Sequence, residues 1–469
     1  MTKYYVLVPE ALVVWMAVLL LIGTRLAWIR PSSRRYLPAV VALVLLVALG
    51  VELWAGATVG AYFGGGLVQD RFSLFAKAAV LLTAAIAVAV VDWTAEDSIS
   101  IGLAMALLAA FGVMVAASAG DLVALWAGLE LAAAARVVVV ALRRPDLAMR
   151  LLVAGGVAST LLLVGLAFLY ASAGTSDLTA MRAVLLSSVP TVALAIPIFL
   201  LVSGLALRAT LAPFHLAGIP ASLGASPLGA GLVLGLVGAA AATVAIKLAG
   251  VLTPIPSMYA NYLEVIAALA MVGGGAAALA VRSPRARLAY LAAGQIGWVA
   301  AGLVTHYRAG MAGSLFLLGA LLVASTCGPA VMGRADGGEA ALAGMGVLRP
   351  ARAAGIALAM LSLAGAPPLA GFFGEFAVGA ALAQSGHFGL LALGLLGALL
   401  SLGAAVRTLR LIYIHSPLEE ARRGSALPVL TRLSTLGAVV FCAVIAGYGL
   451  FSNPILGLAD QGAEALGLR

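Results

Sequence analysis

The stretch Ala117–Asp146, ASAGDLVALWAGLELAAAARVVVVALRRPD, decides how this chain is read. It sets one carboxylate, Glu130, in the middle of a helix that is otherwise read as apolar. A charge at that depth is costly, about +2.5 to +3.5 kcal/mol for an acidic residue at a helix centre. A buried basic partner, a water-filled cavity or protonation would compensate it, and all three belong to proton-handling membrane proteins. The alternative is a structural carboxylate capped by a neighbouring helix.

The rest of the chain supports a membrane setting. Of 469 residues, 64% are hydrophobic and only 10% are charged, and the mean hydropathy is +1.14. Apolar runs are continuous and about 20 residues long, which points to an all-α polytopic membrane protein and excludes a β-barrel of alternating strands. A window of that length gives about 14 spans. The net charge of +9 forms no continuous patch, so nucleic acid is not an expected partner. Cys327 and Cys442 lie in separate apolar segments without metal-ligand spacing. Lys3 precedes the first apolar run without a small-residue cleavage site, so that run reads as an uncleaved span.

Arginine placement sets the expected topology. Alternate loops carry Arg25, Arg30, Arg34 and Arg35; Arg143, Arg144 and Arg150; Arg282, Arg285 and Arg287; Arg334, Arg349 and Arg352; Arg422, Arg423 and Arg432. Intervening loops hold few, such as Arg71, Arg182 and Arg308. The positive-inside rule makes the rich set cytoplasmic and both termini external.

Two spans are interrupted. The seventh meets Pro213 in LRATLAPFHLAGIP, and the twelfth meets Pro367 and Pro368 in LSLAGAPPLAGFFGEF. Proline removes an intrahelical hydrogen bond, and such breaks survive in a membrane only where protein or a polar cavity satisfies the freed carbonyls. Both breaks are therefore expected to face the protein interior. Arg208 precedes the first break and Glu375 follows the second, and paired interrupted helices point to an inverted repeat with an ion path between its halves.

At these residues the chain resembles subunit N of the bacterial proton-pumping NADH:quinone oxidoreductase (complex I), an antiporter-like membrane subunit family. LVPEAL, DRFSLFAKAAVLL, ASAGDLVALWAGLEL, LAPFHL, LSLAGAPPLAGFFGEF and VRTLRLIYI match its motifs in order and spacing over nearly the whole chain. The resemblance implies fourteen helices in one antiporter-like domain: residues 1–95 with helices 1–3, a first repeat of helices 4–8 over 96–252, a second of helices 9–13 over 253–416, and helix 14 in 417–469. It implies a bacterial inner-membrane location with periplasmic termini, and partners among the other membrane subunits of complex I, including further antiporter-like ones, beside lipid, protons and internal water. No cofactor is expected on this chain, because flavin and iron–sulfur clusters belong to partner subunits.

Carried over residue by residue, Glu130 falls on the family's fifth-helix glutamate, Arg208 on a seventh-helix lysine, Arg150 on a sixth-helix lysine and Glu375 on a twelfth-helix lysine. Gln295 falls on a tenth-helix position that is often histidine. In helix eight the expected central lysine falls at Val237. Lys247 lies ten residues on, about 15 Å at 1.5 Å per residue, where a lysine can snorkel to the outer interface.

The expected mechanism has Glu130 and Glu375 titrating, Arg208 as a permanent counter-charge, and water completing the path around His215 and Gln295. Arginine keeps its charge and relays protons poorly. His215 reads either as a proton-entry group or as a polar cap for freed carbonyls. Two rival functions share this pattern: a subunit of a cation/proton antiporter or related hydrogenase-type complex, and a non-pumping structural subunit. H⁺ and Na⁺ both remain open as the coupled ion.

Overall fold

Short polar signals mark the helix boundaries of this apolar chain. The computed structural model describes residues 4–26, 34, 36–56, 58–91, 93, 98–187, 194–255, 259–333, 338–415 and 430–467. Within them run α1 (Val8–Arg25), α2 (Leu37–Ala55), a hairpin of β1 (Gly60–Tyr62) and β2 (Leu67–Gln69), α3 (Arg71–Val90), α4 (Ile99–Ser118), α5 (Leu122–Ala141), α6 (Pro145–Ala173), α7 (Leu178–Ser187), α8 (Ala195–Arg208) and α9 (Gly218–Gly224). There follow α10 (Pro227–Leu252), α11 (Ala260–Ala280), α12 (Pro284–Val304), α13 (Arg308–Met332), α14 (Pro350–Leu363), α15 (Ala370–Gln384), α16 (Phe388–Tyr413), α17 (Leu430–Leu450) and α18 (Ser452–Ala465). Asp70 caps α3 in a reciprocal box with Ser73, and Asp121 caps α5 by accepting from the Ala124 N–H at 2.7 Å. Ser226 and Ser283 do the same for α10 and α12, each with proline next in the chain.

Twelve of the described helices are long and apolar enough to cross a membrane. The protein is thus a polytopic helical membrane protein. The best-buried apolar stretch of α13 is 100% inside protein, against 28% for α2. The core therefore lies around α10, α12 and α13, while α2, α6 and α16 present residues such as Leu43, Trp54, Phe168 and Leu399 outward, as lipid contact demands. α7 and α18 are additional helices that no span window finds, because at 10 and 14 residues they are too short to fill one. Arg308 clamps α18 through Asp460 at 2.8 and 2.6 Å and Glu464 at 2.9 Å.

One end of the bundle carries the β hairpin. Leu67 bridges to Ala119 and Asp121 to Asp177, so the hairpin, the α4–α5 turn and the start of α7 meet there. The opposite end carries Arg143, Arg144 and Arg285. Of the loop arginines used for topology, Arg30, Arg35, Arg334, Arg422 and Arg423 lie outside the described residues, as does Lys3. Arg287 and Arg352 are buried. Arg287 reaches Glu339 at 2.9 Å and Thr408 at 2.8 Å, binding α12 to α16.

Both expected helix breaks are present, between α8 and α9 and between α14 and α15, and they are built alike. The Leu211 N–H donates to the Ala206 carbonyl at 3.0 Å, and the Ala366 N–H to the Leu361 carbonyl at 2.9 Å. Thr210 and Gly365 take positive φ of 62° and 68° at corresponding places. One expectation needs correction: Pro213, Pro367 and Pro368 are exposed. The apolar rings turn outward, while the polar carbonyls ending α8 and α14 turn inward to side-chain donors.

Candidate functional site

The first cluster forms where α5, α6 and α8 meet. Gly112 and Gly128 let α4 and α5 approach so closely that a Cβ on Gly128 would lie 2.6 Å from the Ala116 nitrogen, and this packing fixes the rotation of α5. Glu130 then faces Arg208, the last residue of α8, in a charge-assisted hydrogen bond from Arg208 Nη2 to Glu130 Oε1. Arg208 is 3% exposed and the Glu130 side chain 27%. Gly155 of α6 leaves room for the guanidinium, since a Cβ there would stand 3.2 Å from Arg208 Nη1.

A second cation completes this cluster. Arg136, 2% exposed on α5, donates from Nη1 to the Arg208 carbonyl at 3.2 Å. It makes no ion pair among the described residues. One guanidinium therefore pairs with the carboxylate, and a second is tied to the backbone of the first. Sequence reasoning did not single out Arg136. Its signal was the same as that of Glu130, a lone charge in an apolar run.

The other cluster lies at the second break. Gln295 of α12 donates from Nε2 to Glu375 Oε1 of α15 at 2.5 Å and to the Leu363 carbonyl at 3.1 Å. Glu375 is buried and has no cation in ion-pair range among the described residues. Gly365 makes space for it: a Cβ there would fall 2.2 Å from Glu375 Oε2, and its φ of +68° favours glycine independently.

The two clusters share one device. Arg208 and Leu363 each end the half-helix before a break, and each of their carbonyls accepts a side-chain hydrogen bond, from Arg136 and Gln295 respectively. Arg136 is thus the local counterpart of Gln295. This satisfies the carbonyls that a broken helix frees inside a membrane.

An apolar cavity of about 70 Å³ is walled by α8, α10, α11 and α12 through residues including Leu205, Ala206, Ala242, Ala245, Ile296 and Val299. Val237, buried just after a π-helical turn at Leu232–Leu236, brings no charge to this region. Its polar lining is too sparse to hold ordered water.

The remaining expected residues stand apart. His215 sits half-buried in the turn after Pro213, its ring 5.7 Å from that of Tyr290, and Nδ1 has no protein partner. It contacts neither Glu130 nor Arg208. Arg150 is exposed near the start of α6 and does not join the cluster. Lys247 lies at the hairpin end but does not snorkel: it is 5% exposed, donates to the Ala119 carbonyl, and lies 5.7 Å from the Phe72 ring centre. Burial behind the α4–α5 turn keeps it from the interface.

Comparison with known proteins agrees with this architecture. The family described as NADH:quinone oxidoreductase/Mrp antiporter, TM, matches residues 119–401. NADH-quinone oxidoreductase subunit N of Granulibacter bethesdensis is 31% identical over 451 residues, 92% of this chain and 93% of its own. The subunit of that name from Rhodospirillum rubrum is 31% identical over 444 residues, 90% of this chain and 89% of its own. Among solved structures, a chain of respiratory complex I from Thermus thermophilus has a TM-score of 0.79 at 23% identity, covering 96% of this chain and 99% of that one. A chain of the Mrp complex from Dietzia sp. scores 0.80 at 20% identity, covering 99% and 98%. These two structures share the fold. With buried charges at two matching helix breaks and relatives aligned along nine tenths of its length, the chain belongs to the NADH:quinone oxidoreductase/Mrp antiporter membrane family.

Proposed function

We propose that this chain is an antiporter-like membrane subunit of a bacterial NADH:quinone oxidoreductase, and that it moves protons across the inner membrane when other subunits pass electrons from NADH to quinone. The observation that carries this reading is the buried Glu130–Arg208–Arg136 cluster at one helix break, answered by Glu375–Gln295 at the other. The arginine-rich end is cytoplasmic and the hairpin end, with both termini, periplasmic. The regions 96–252 and 253–416 act as two inverted repeats, with one polar cluster each.

In this reading a proton enters near His215, on the side of the first break. Arg208 pairs with Glu130 as a permanent counter-charge beside the proton's path. Glu375, with an amide for a partner and no cation, is the group that holds the proton; a buried carboxylate without a counter-charge is neutralised by protonation. Water must enter the apolar interior between Glu130 and Glu375 for transfer to occur. Flavin, iron–sulfur clusters and the quinone site belong to partner subunits.

The apolar cavity, together with Val237, favours a second reading in which the chain is a non-pumping structural subunit. Glu130→Gln separates the two. Proton pumping in reconstituted vesicles, normalised to electron transfer, should fall in the variant while the complex still assembles. An unchanged ratio in an assembled complex supports the structural reading.

A further inference from the structure

Helices α1 to α3 bury a polar group that lies outside both repeats. Lys77 of α3, 1% exposed, is ion-paired to Glu10 of α1 and stands 4.0 Å from Glu52 of α2. Gln69, at the end of β2, links them: its Nε2 donates to Glu52 Oε1 at 2.7 Å, and its Oε1 accepts from Lys77 Nζ at 2.7 Å. Glu10 is 7% and Glu52 1% exposed. Glu10 Oε2 and Glu52 Oε2 are buried without any hydrogen-bond partner. The described parts of α1, α2, α3 and α4 hold no other charges besides Arg25, at the far end of α1, and Arg71, at the start of α3.

Two carboxylates thus share one ammonium. Lysine can balance only one of them, and the orphaned oxygen of Glu52 marks where the missing positive charge belongs. Gln69 already uses both its amide groups on Glu52 and Lys77, so few free oxygens remain for a hard divalent cation, which takes about six or more. Val68 and Asp70, on either side of Gln69, line a cleft of about 220 Å³ at the hairpin end that also reaches Arg182 and the buried Lys247. Gln69 points the other way, into the acid pair.

We propose that Glu10 and Glu52, held by Lys77 and Gln69, form a buried site for one exchangeable proton at the hairpin end of α1–α3. The proton comes from water at the hairpin end, forms one O–H bond on the carboxylate pair, and is given back to water when that bond breaks. The site does not depend on conduction between Glu130 and Glu375, so it titrates whether the chain pumps or not.

Infrared difference spectroscopy of the full chain in lipid vesicles, across a pH series and in H₂O against D₂O, tests this. In a Glu375→Gln background, which removes the other buried carboxyl proposed to hold a proton, the chain should show a protonated-carboxyl band that shifts in D₂O and disappears at high pH, and Glu52→Gln should remove it. Glu10→Gln removes the other half of the pair and should abolish the same band, which keeps the test decisive if Glu52→Gln fails to fold. A band that persists in either folded variant overturns the proposal. So does a band that responds to added Na⁺ at constant pH, which would make the site one for a metal cation.

Discussion

Glu130 pairs with one guanidinium, that of Arg208, and Arg136 is tied to the Arg208 backbone behind it. Arg208 supplies the ion pair and Arg136 the excess charge. Outside the spanning helices, His306 offers a cleaner titration. It lies between α12 and α13 with Nδ1 3.1 Å from the Tyr259 hydroxyl. Burial, and secondarily the neighbouring His387, pull its pKa down from 6.5 to about 4. The unfolded chain therefore takes up a proton at a higher pH than the folded one. The stability that His306 contributes is complete above pH 6.5 and is lost as the pH falls towards 4. A thermal-unfolding series across that window should show a shallower decline for His306→Gln than for the wild type; parallel profiles would refute this assignment. Glu130 was legible in the sequence because an isolated carboxylate in an apolar run demands explanation. Arg136 was equally isolated, but only the fold shows that it turns inward to a carbonyl rather than outward to the loop.

The helix breaks show what proline patterns reveal and what they hide. Pro213 and Pro367–Pro368 announce interruptions, because no helix interior tolerates them without losing a hydrogen bond. Which side of the break faces inward depends on where donors lie on neighbouring helices, and those donors, Arg136 and Gln295, are 72 and 68 residues distant from the carbonyls they serve. Sequence spacing cannot show such pairs. If Arg136 acts chiefly as this donor, Arg136→Gln should preserve the break, since an amide does the same work at Gln295. Arg136→Ala leaves the Arg208 carbonyl without its donor and should cost about 1–3 kcal/mol, the penalty of an unsatisfied buried polar group. Thermal midpoints of the purified assembly report the difference. A glutamine variant no more stable than the alanine variant would show that the positive charge, not the hydrogen bond, is what the element needs.

Over the whole molecule, the membrane class followed from composition, and the family from a set of motifs in fixed order. The sequence also marked helix eight as the place where a central charge is missing. The apolar cavity beside it depends on which side chains of α8, α10, α11 and α12 converge, and appears only in the fold. The central claim is that Glu130 and Glu375 nevertheless serve one proton path. The most direct test is the proton-to-electron ratio of the reconstituted complex carrying Glu130→Gln, Glu375→Gln, or both. Groups acting in series couple, whereas independent sites add. The account predicts that each single variant lowers the ratio by the same step and that the double variant lowers it no further. Unchanged ratios in assembled complexes, or losses that add in the double variant, would contradict it.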